Sequence, residues 1–585
     1  IGFNLNYYDT SDYSAISGLN TFPGVMALMP AGEYRPLFNG NISSMAVYNR
    51  SLNGTGNVGG PLMLYNYHYD QLNRLTSMDA YNKSNFTGNN WLGFNGMNQF
   101  KERITYDGNG NILRYRRHGH KSDLYIMDSL TYTYYDQTNR LNWVKDITPS
   151  SRYGNDAGDV PDIDNQALNN YQYDEIGNLT KDVKEGITGI KWSVYGKILE
   201  INRASTAANP VQKITYAYDA QGNRISKAVL KNTGTTSYTW YVRDAQGNVM
   251  ATYSSSGGAS DLSQLPLNLS EQHIYGSSRL GMYTKLLNVD NGPKDMADSN
   301  SIKYYRGFRQ YELSNHLGNV LATISDKKKG VDTDSDGIID YYDADVATAQ
   351  DYYPFGMLMP GRIGYQSQGG WVSEPGSSTP GDNGLPSEIN IDNRTNNLPP
   401  EYTATSSVEL NPGFESGSGD AFLAYISEDD GGGGSGGEGS SSLNGAYRYG
   451  FNGKENDNEI KGIGNQQDYG MRIYDPRLGR FLSEDPITKK YPELTPYQFA
   501  SNRPIDGIDE DGLEWQPFDK DKKTISADDK ENISGYRWVG FDRGKDGSLT
   551  PKAGTVAKAY IFGEKGMTTL STQEINVHDF QKILP

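Results

Sequence analysis

The sequence predicts an all-β chain built from consecutive β-hairpins. Three observations carry that expectation. The 585 residues include 44 Tyr and 67 Gly but only 36% hydrophobic residues, a bias toward strand and turn formers. Tyr and Gly recur together in short blocks. One block also repeats in fixed order along the chain, the mark of a repeat architecture in which each unit packs on its neighbours.

The block reads aromatic, x, Tyr, Asp, two or three small or polar residues, Gly or Asn, Asn, then an apolar residue. It occurs at Tyr67-His68-Tyr69-Asp70 with Asn73-Arg74-Leu75, and at Thr105-Tyr106-Asp107 with Gly110-Asn111-Ile112. It returns at Tyr134-Tyr135-Asp136 with Asn139-Arg140-Leu141, and at Tyr171-Gln172-Tyr173-Asp174 with Gly177-Asn178-Leu179. The clearest copy is Tyr216-Ala217-Tyr218-Asp219-Ala220-Gln221-Gly222-Asn223-Arg224-Ile225. Variants follow at Arg243-Asp244-Ala245-Gln246-Gly247-Asn248-Val249 and His316-Leu317-Gly318-Asn319-Val320-Leu321. Asp-to-Asp spacings of 25 to 45 residues are tolerated if extra residues loop out on one side.

Each block encodes a hairpin. Alternate aromatics such as Tyr216 and Tyr218 share one face of a strand. Asp at the strand end accepts hydrogen bonds from the turn's amides. Gly-Asn supplies residues that tolerate positive φ, and the apolar residue opens the return strand. The alternative is an ordinary β-sandwich with Tyr-rich hairpins, against which seven related blocks argue.

Composition removes several functions. The chain has no Cys, which excludes disulfides, thiolate metal sites and cysteine nucleophiles. Its net charge of −17 shows no basic face for nucleic acid. No apolar run approaches the roughly 18 residues that span a bilayer. The chain opens Ile1-Gly2-Phe3-Asn4 without Met or signal peptide, so the expectation is a longer precursor with any export signal upstream.

Residues 332–345 read as a calcium loop. Counting Asp332 as position 1 places Asp334 at 3, Asp336 at 5, Gly337 at 6, Asp340 at 9 and Asp343 at 12. The Ile338 carbonyl would serve at 7. Calcium needs several oxygens around one point, and Gly337 allows the sharp turn. Asp at 12 is a shorter arm than the usual Glu. The spacing resembles calcium repeats of thrombospondin type 3 and dockerin modules, and the expected role of Ca2+ is structural. A solvated acidic loop is the alternative.

The blocks resemble the YD repeats of the RHS family, which includes toxin-complex C components, polymorphic RHS toxins and the teneurin shell. The resemblance covers roughly residues 40–513. It implies a hairpin strip spiralling into a hollow shell, or cocoon. Asp351-Tyr352-Tyr353-Pro354-Phe355-Gly356-Met357 resembles a segment common in RHS proteins of Bacteroidota. Residues 1–365 are expected to form the shell, with the calcium loop as an insertion. Residues 366–445, rich in Gly, Ser, Pro and Asn, are expected to form an insertion or linker.

The stretch 446–513 resembles the RHS-associated core more specifically. It carries R-x-Y-D-P-x-x-G-R-F-x-x-x-D-P from Arg472 to Pro486, then N-x-P-x-x-x-x-D-x-x-G-L from Asn502 to Leu513. The resemblance implies a plug that closes the shell and acts as an intramolecular aspartyl-type protease. Asp485 and Asp509 would be the acids, with Arg472 beside them and the cut between Leu513 and Glu514. The chemistry is coherent, since paired carboxylates divide acid and base roles and an arginine steadies a carboxylate or an oxyanion. A turn cap is the commoner role for any single Asp. The chain departs from the family's Asp-Pro-x-Gly-Leu ending by carrying Glu510 in place of Pro, with Asp511 as a further charge.

Residues 514–585 would begin the variable C-terminal cargo. They hold 11 Lys/Arg, 11 Asp/Glu and one His, His578, and no recognisable catalytic constellation. The resemblance thus implies an exported shell that holds or releases a C-terminal effector, with delivery machinery and an immunity protein as further partners. A cell-surface adhesion scaffold and a substrate of a secretion system are the alternatives.

Overall fold

The computed structural model describes residues 1–8, 32–52, 60–83, 93–149, 163–206, 209–258, 262–289, 306–331, 340–367, 447–490 and 494–509. It also describes positions 29, 153 and 512, and short strands within 370–426 and 514–551. Asp332, Asp334, Asp336, Ile338 and Leu513 lie outside the described residues, as do most of 366–445 and the end of the tail.

The described chain is all-β, as the hairpin pattern requires. Strands from Gly2–Asn6 to Leu141–Asp146 form a nine-stranded antiparallel sheet, in which Leu62–Tyr69 pairs with Leu75–Lys83 and Glu102–Tyr106 with Ile112–His118. Strands from Tyr171–Tyr173 to Gly370–Val372 form a sixteen-stranded sheet. With few local departures, neighbours in sequence are neighbours in each sheet, so the chain lays down one hairpin beside the last. No described helix is long and apolar enough to cross a membrane.

The turns follow the expected chemistry with one refinement. In the Asp107 block, Oδ1 accepts from the amides of Asn109 (2.9 Å) and Asn111 (2.8 Å), while Gly110 takes φ of +81°. Asp174, Asp219 and Asp244 repeat this geometry. In these turns the Gly takes the positive φ, a place that Asn73 fills at φ of +61° in the first block. The following Asn instead donates its side-chain amide to the Asp, as Asn223 does to Asp219 Oδ2 at 3.0 Å. The 134–141 block closes differently, with the Tyr135 amide bonded to the Arg140 carbonyl at 2.9 Å and positive φ at Gln137. Trp192 to Ile198 form a further turn of the series, with Ser193 Oγ accepting from the Tyr195 and Lys197 amides (3.3 and 3.1 Å).

A tyrosine at the end of the strand that enters each of these turns joins successive hairpins. Tyr106 donates its hydroxyl to the Leu75 carbonyl (2.7 Å), Tyr134 to Ile112 (2.7 Å), Tyr218 to Ile198 (2.8 Å) and Tyr275 to Val249 (2.9 Å). Each accepting carbonyl belongs to the apolar residue that opens the preceding return strand. The ring fills the core while the phenol satisfies a backbone acceptor, which is why the block specifies Tyr rather than Phe.

Residues 447–509 pack against the turn ends of both sheets. Turn-tip residues Leu72 and Ile176 are 64% and 70% exposed, whereas the equivalent Leu317 and Phe355 are 4% and 0% exposed beneath this segment. Asn502 bonds the Gly110 carbonyl (2.9 Å), Tyr497 that of Gly177 (2.7 Å), Arg480 that of Asn139 (2.7 Å) and Tyr474 that of Phe355 (2.8 Å). Buried ion pairs add to these contacts. Lys461 lies 2.9 Å from Asp182 and 2.8 Å from Asp475, and Arg224 lies 3.0 Å from Asp457. One continuous core runs from Ile42 through the repeat strands to Ile505.

Candidate active site

The site is built on a small four-stranded sheet of Glu455–Asn456, Gln467–Asp468, Ile473–Asp475 and Arg480–Phe481. Arg472 sits in the turn before Ile473–Asp475, where its carbonyl accepts from the Tyr469 amide at 3.1 Å. Asp485 follows Arg480–Phe481 and is anchored through its own amide to the Pro496 carbonyl at 2.9 Å. Asp509 follows Gly507–Ile508. Three distant parts of the segment thus converge.

Arg472 is the point of convergence. Its Nη2 lies 3.1 Å from Asp485 Oδ2 and 3.7 Å from Asp509 Oδ2. Nη1 donates to the Pro496 carbonyl at 3.2 Å, and Nε donates to the Gly512 carbonyl. Arg472, Asp485 and Asp509 are all buried, so these charges interact with little screening. The guanidinium also lies over the Phe481 ring, 3.8 Å from its centroid.

Each acid divides its oxygens. Asp485 Oδ1 accepts from the Ile487 amide at 2.9 Å, and Asp509 Oδ1 accepts from the Gly512 amide. Those are turn caps, the common role of such residues. Both Oδ2 atoms face Arg472. Capping fixes each carboxylate's plane and leaves its second oxygen aimed at the guanidinium. Burial, with Tyr474 and Asp509 nearby, pushes the adjacent Tyr469 phenol well up, so it stays neutral.

The structure therefore brings Arg472, Asp485 and Asp509 together. Leu513 is outside the described residues, while Glu514 begins the strand Glu514–Asp519. That strand pairs with Ile533–Val539, which pairs in turn with Gly507–Ile508. The Pro496 carbonyl and the Phe481 ring were not singled out from the sequence, although Phe481 lies within the motif. Of the calcium-loop residues, Asp340 is exposed and Asp343 pairs with Arg50 at 2.9 Å. Among the described residues no group of three or more His, Asp or Glu gathers for a metal.

No protein-family model matches the chain, and no curated protein matches it. Among solved structures, a Photorhabdus luminescens Tc holotoxin pore with a mutation in TccC3 aligns over 82% of this chain and 16% of that chain, at 15% identity and a TM-score of 0.45. A TcdB2-TccC3 structure aligns over 77% of this chain and 19% of that chain, at 14% identity and a TM-score of 0.32. The chain therefore spans less than a fifth of the length of either.

Proposed function

We propose that this chain is part of an RHS/YD-repeat shell that cuts itself between Leu513 and Glu514 and encloses the segment that follows. The observation that carries the reading is the convergence of Asp485 and Asp509 on Arg472, whose Nε donates to the Gly512 carbonyl, one residue before the expected cut.

The acids have the chemistry for peptide hydrolysis. One carboxylate takes a proton from water as the hydroxyl oxygen adds to the Leu513 carbonyl carbon. The other, protonated, donates to the developing oxyanion. Collapse of the tetrahedral centre breaks the bond to the Glu514 nitrogen, which leaves with a proton. Arg472 offsets the local negative charge and holds the approaching chain by its Gly512 carbonyl.

Export, delivery by a partner machine, an immunity protein and an effector in the C-terminal segment belong to the same reading. They rest on the ordered RHS-core motif and on the docking of 447–509 across both sheets. Mass spectrometry of the purified chain beside Asp485→Asn and Asp509→Asn tests the cut. A fragment beginning at Glu514 in the wild type and absent from both variants supports it. Equal cleavage in all three removes the acids from the chemistry, and an intact wild-type chain removes the reading itself.

A further inference from the structure

We infer that Phe481 is a positioning residue for the cut: its ring is the platform that holds the Arg472 guanidinium in the plane where Nε meets the Gly512 carbonyl and Nη2 faces both acids. The inference rests on the self-cleavage reading and adds to it a residue with no acid–base chemistry of its own.

The geometry is specific to this ring. An arginine has several rotatable bonds and loses much rotamer freedom when fixed. Here the fork must meet four groups at once: the Gly512 carbonyl, the Pro496 carbonyl, Asp485 and Asp509. Two carbonyls and two carboxylate oxygens engage its edges. The Phe481 ring lies against its face, 3.8 Å from ring centroid to guanidinium carbon, resists displacement out of that plane and attracts the cation electrostatically.

The ring is itself immobilised. Tyr469 and Tyr474 pack against it with centroids at 5.7 and 5.3 Å, and Phe499 at 5.9 Å. Its backbone pairs with Tyr474 and donates to the Tyr497 carbonyl at 3.0 Å. The platform therefore transmits the rigidity of the aromatic cluster to the guanidinium. Phe100, fully buried just before the repeat strand Glu102–Tyr106, serves as the control for a purely structural contribution.

The test is a double-mutant cycle in the full chain, read as the first-order rate of appearance of the Glu514-initiated fragment. Phe481→Leu keeps apolar bulk but removes the ring face. It is expected to slow the cut by about ten- to a hundredfold, the usual cost of small misplacement at a reacting centre. Combined with Arg472→Lys, it should add almost nothing, because the two residues act as one unit. Phe100→Leu combined with Arg472→Lys should instead multiply. Full additivity of Phe481→Leu with Arg472→Lys overturns the inference. A second readout does not depend on cleavage. The Arg472 Nε–H NMR resonance, assigned by its loss in Arg472→Lys, should shift in Phe481→Leu and stay in place in Phe100→Leu. An unmoved resonance in Phe481→Leu overturns the positioning role even in a chain that never cuts. A shifted resonance in an uncut chain leaves the platform standing and removes the protease.

Discussion

Arg472 and Gly512 are tied together twice. The guanidinium Nε donates to the Gly512 carbonyl, and a β-carbon added at 512 would lie 3.1 Å from the Arg472 backbone nitrogen and 3.3 Å from its Cβ. Gly512 also takes φ of +85°, a region costly for residues with a side chain. Gly512→Ala is therefore expected to leave the fold unchanged and to disengage the carbonyl from Arg472. The cut should slow by about tenfold or more, since ~1 kcal/mol of backbone strain adds to the misplacement. The half-life of the uncut chain on denaturing gels measures this. An unchanged half-life would separate the Gly512 contact from the chemistry.

The hydroxyls that join hairpins make a second prediction. Tyr106→Phe, Tyr218→Phe and Tyr275→Phe each remove one hydrogen bond to a backbone carbonyl of the preceding hairpin. Each is expected to cost about 1 kcal/mol, because the packing stays and the acceptor loses its partner. Tyr195→Phe, at a turn tip that is 80% exposed, should cost nothing. Thermal unfolding of the four variants separates a cross-repeat bond from generic aromatic burial.

Legibility followed distance along the chain. The turns were legible because Asp107, Gly110 and Asn111 satisfy one another within five residues. The tyrosine bonds were not, because Tyr218 meets the Ile198 carbonyl only once strands are in register. The turn from Trp192 to Ile198 was missed because Ser193 replaces the Asp while keeping its acceptor role. The grouping of Arg472, Asp485 and Asp509 came from resemblance rather than spacing. The ion pairs that dock the closing segment, such as Lys461 with Asp182 across 279 residues, have no local signature at all.

Stability should vary with pH in two opposed ways. Burial works to raise Asp475, but Lys461 and Arg477 outweigh it and hold its carboxyl at about 2. Burial likewise works against Glu271, where Arg448, His273 and Thr252 prevail and hold it at about 2. Both folded values lie below those of a free chain, so their stabilisation is complete above about pH 4.5 and is lost as pH falls toward 2. Glu102 behaves in reverse. Burial raises it to about 8 despite the Tyr115 hydrogen bond and Arg117, so the folded state keeps a proton that the unfolded chain gives up. That favours folding at low pH and fades from about 4.5 to 8, at up to about 1.4 kcal/mol per pH unit. Burial lowers His316 to about 4, which favours folding as pH rises from about 4 to 6.5 and offsets Glu102 over that range, so thermal stability is expected to decline mainly between about pH 6.5 and 8. Glu102→Gln, which keeps the shape without the proton, should flatten the decline and leave the acid limb intact. A decline of unchanged slope in Glu102→Gln would assign it to other groups.

The acidic loop can be tested through Arg50. Strands Val320–Val331 and Tyr341–Tyr352 pair with Val331 opposite Tyr341, so residues 332–340 connect the two strands of a hairpin and Asp343 lies on the second strand. Asp343, the twelfth position of the expected calcium loop, is engaged by Arg50 Nη1 at 2.9 Å. A cation held by the loop must share or displace that guanidinium if Asp343 is a ligand. Arg50→Ala should then tighten calcium binding, because a competing positive charge is removed from a surface site where charges remain partly screened. Asp343→Asn should weaken it, and Asp336→Asn should weaken it more if the loop centre supplies the main oxygens. Calorimetric titration of calcium into the full chain measures all three, and the thermal shift on chelation reports any stabilisation by the ion. If Arg50→Ala and Asp343→Asn leave the affinity unchanged while Asp336→Asn abolishes it, the loop binds calcium without its twelfth position. If none of the three alters the heat, the carboxylates are a solvated surface and the hairpin stands without an ion.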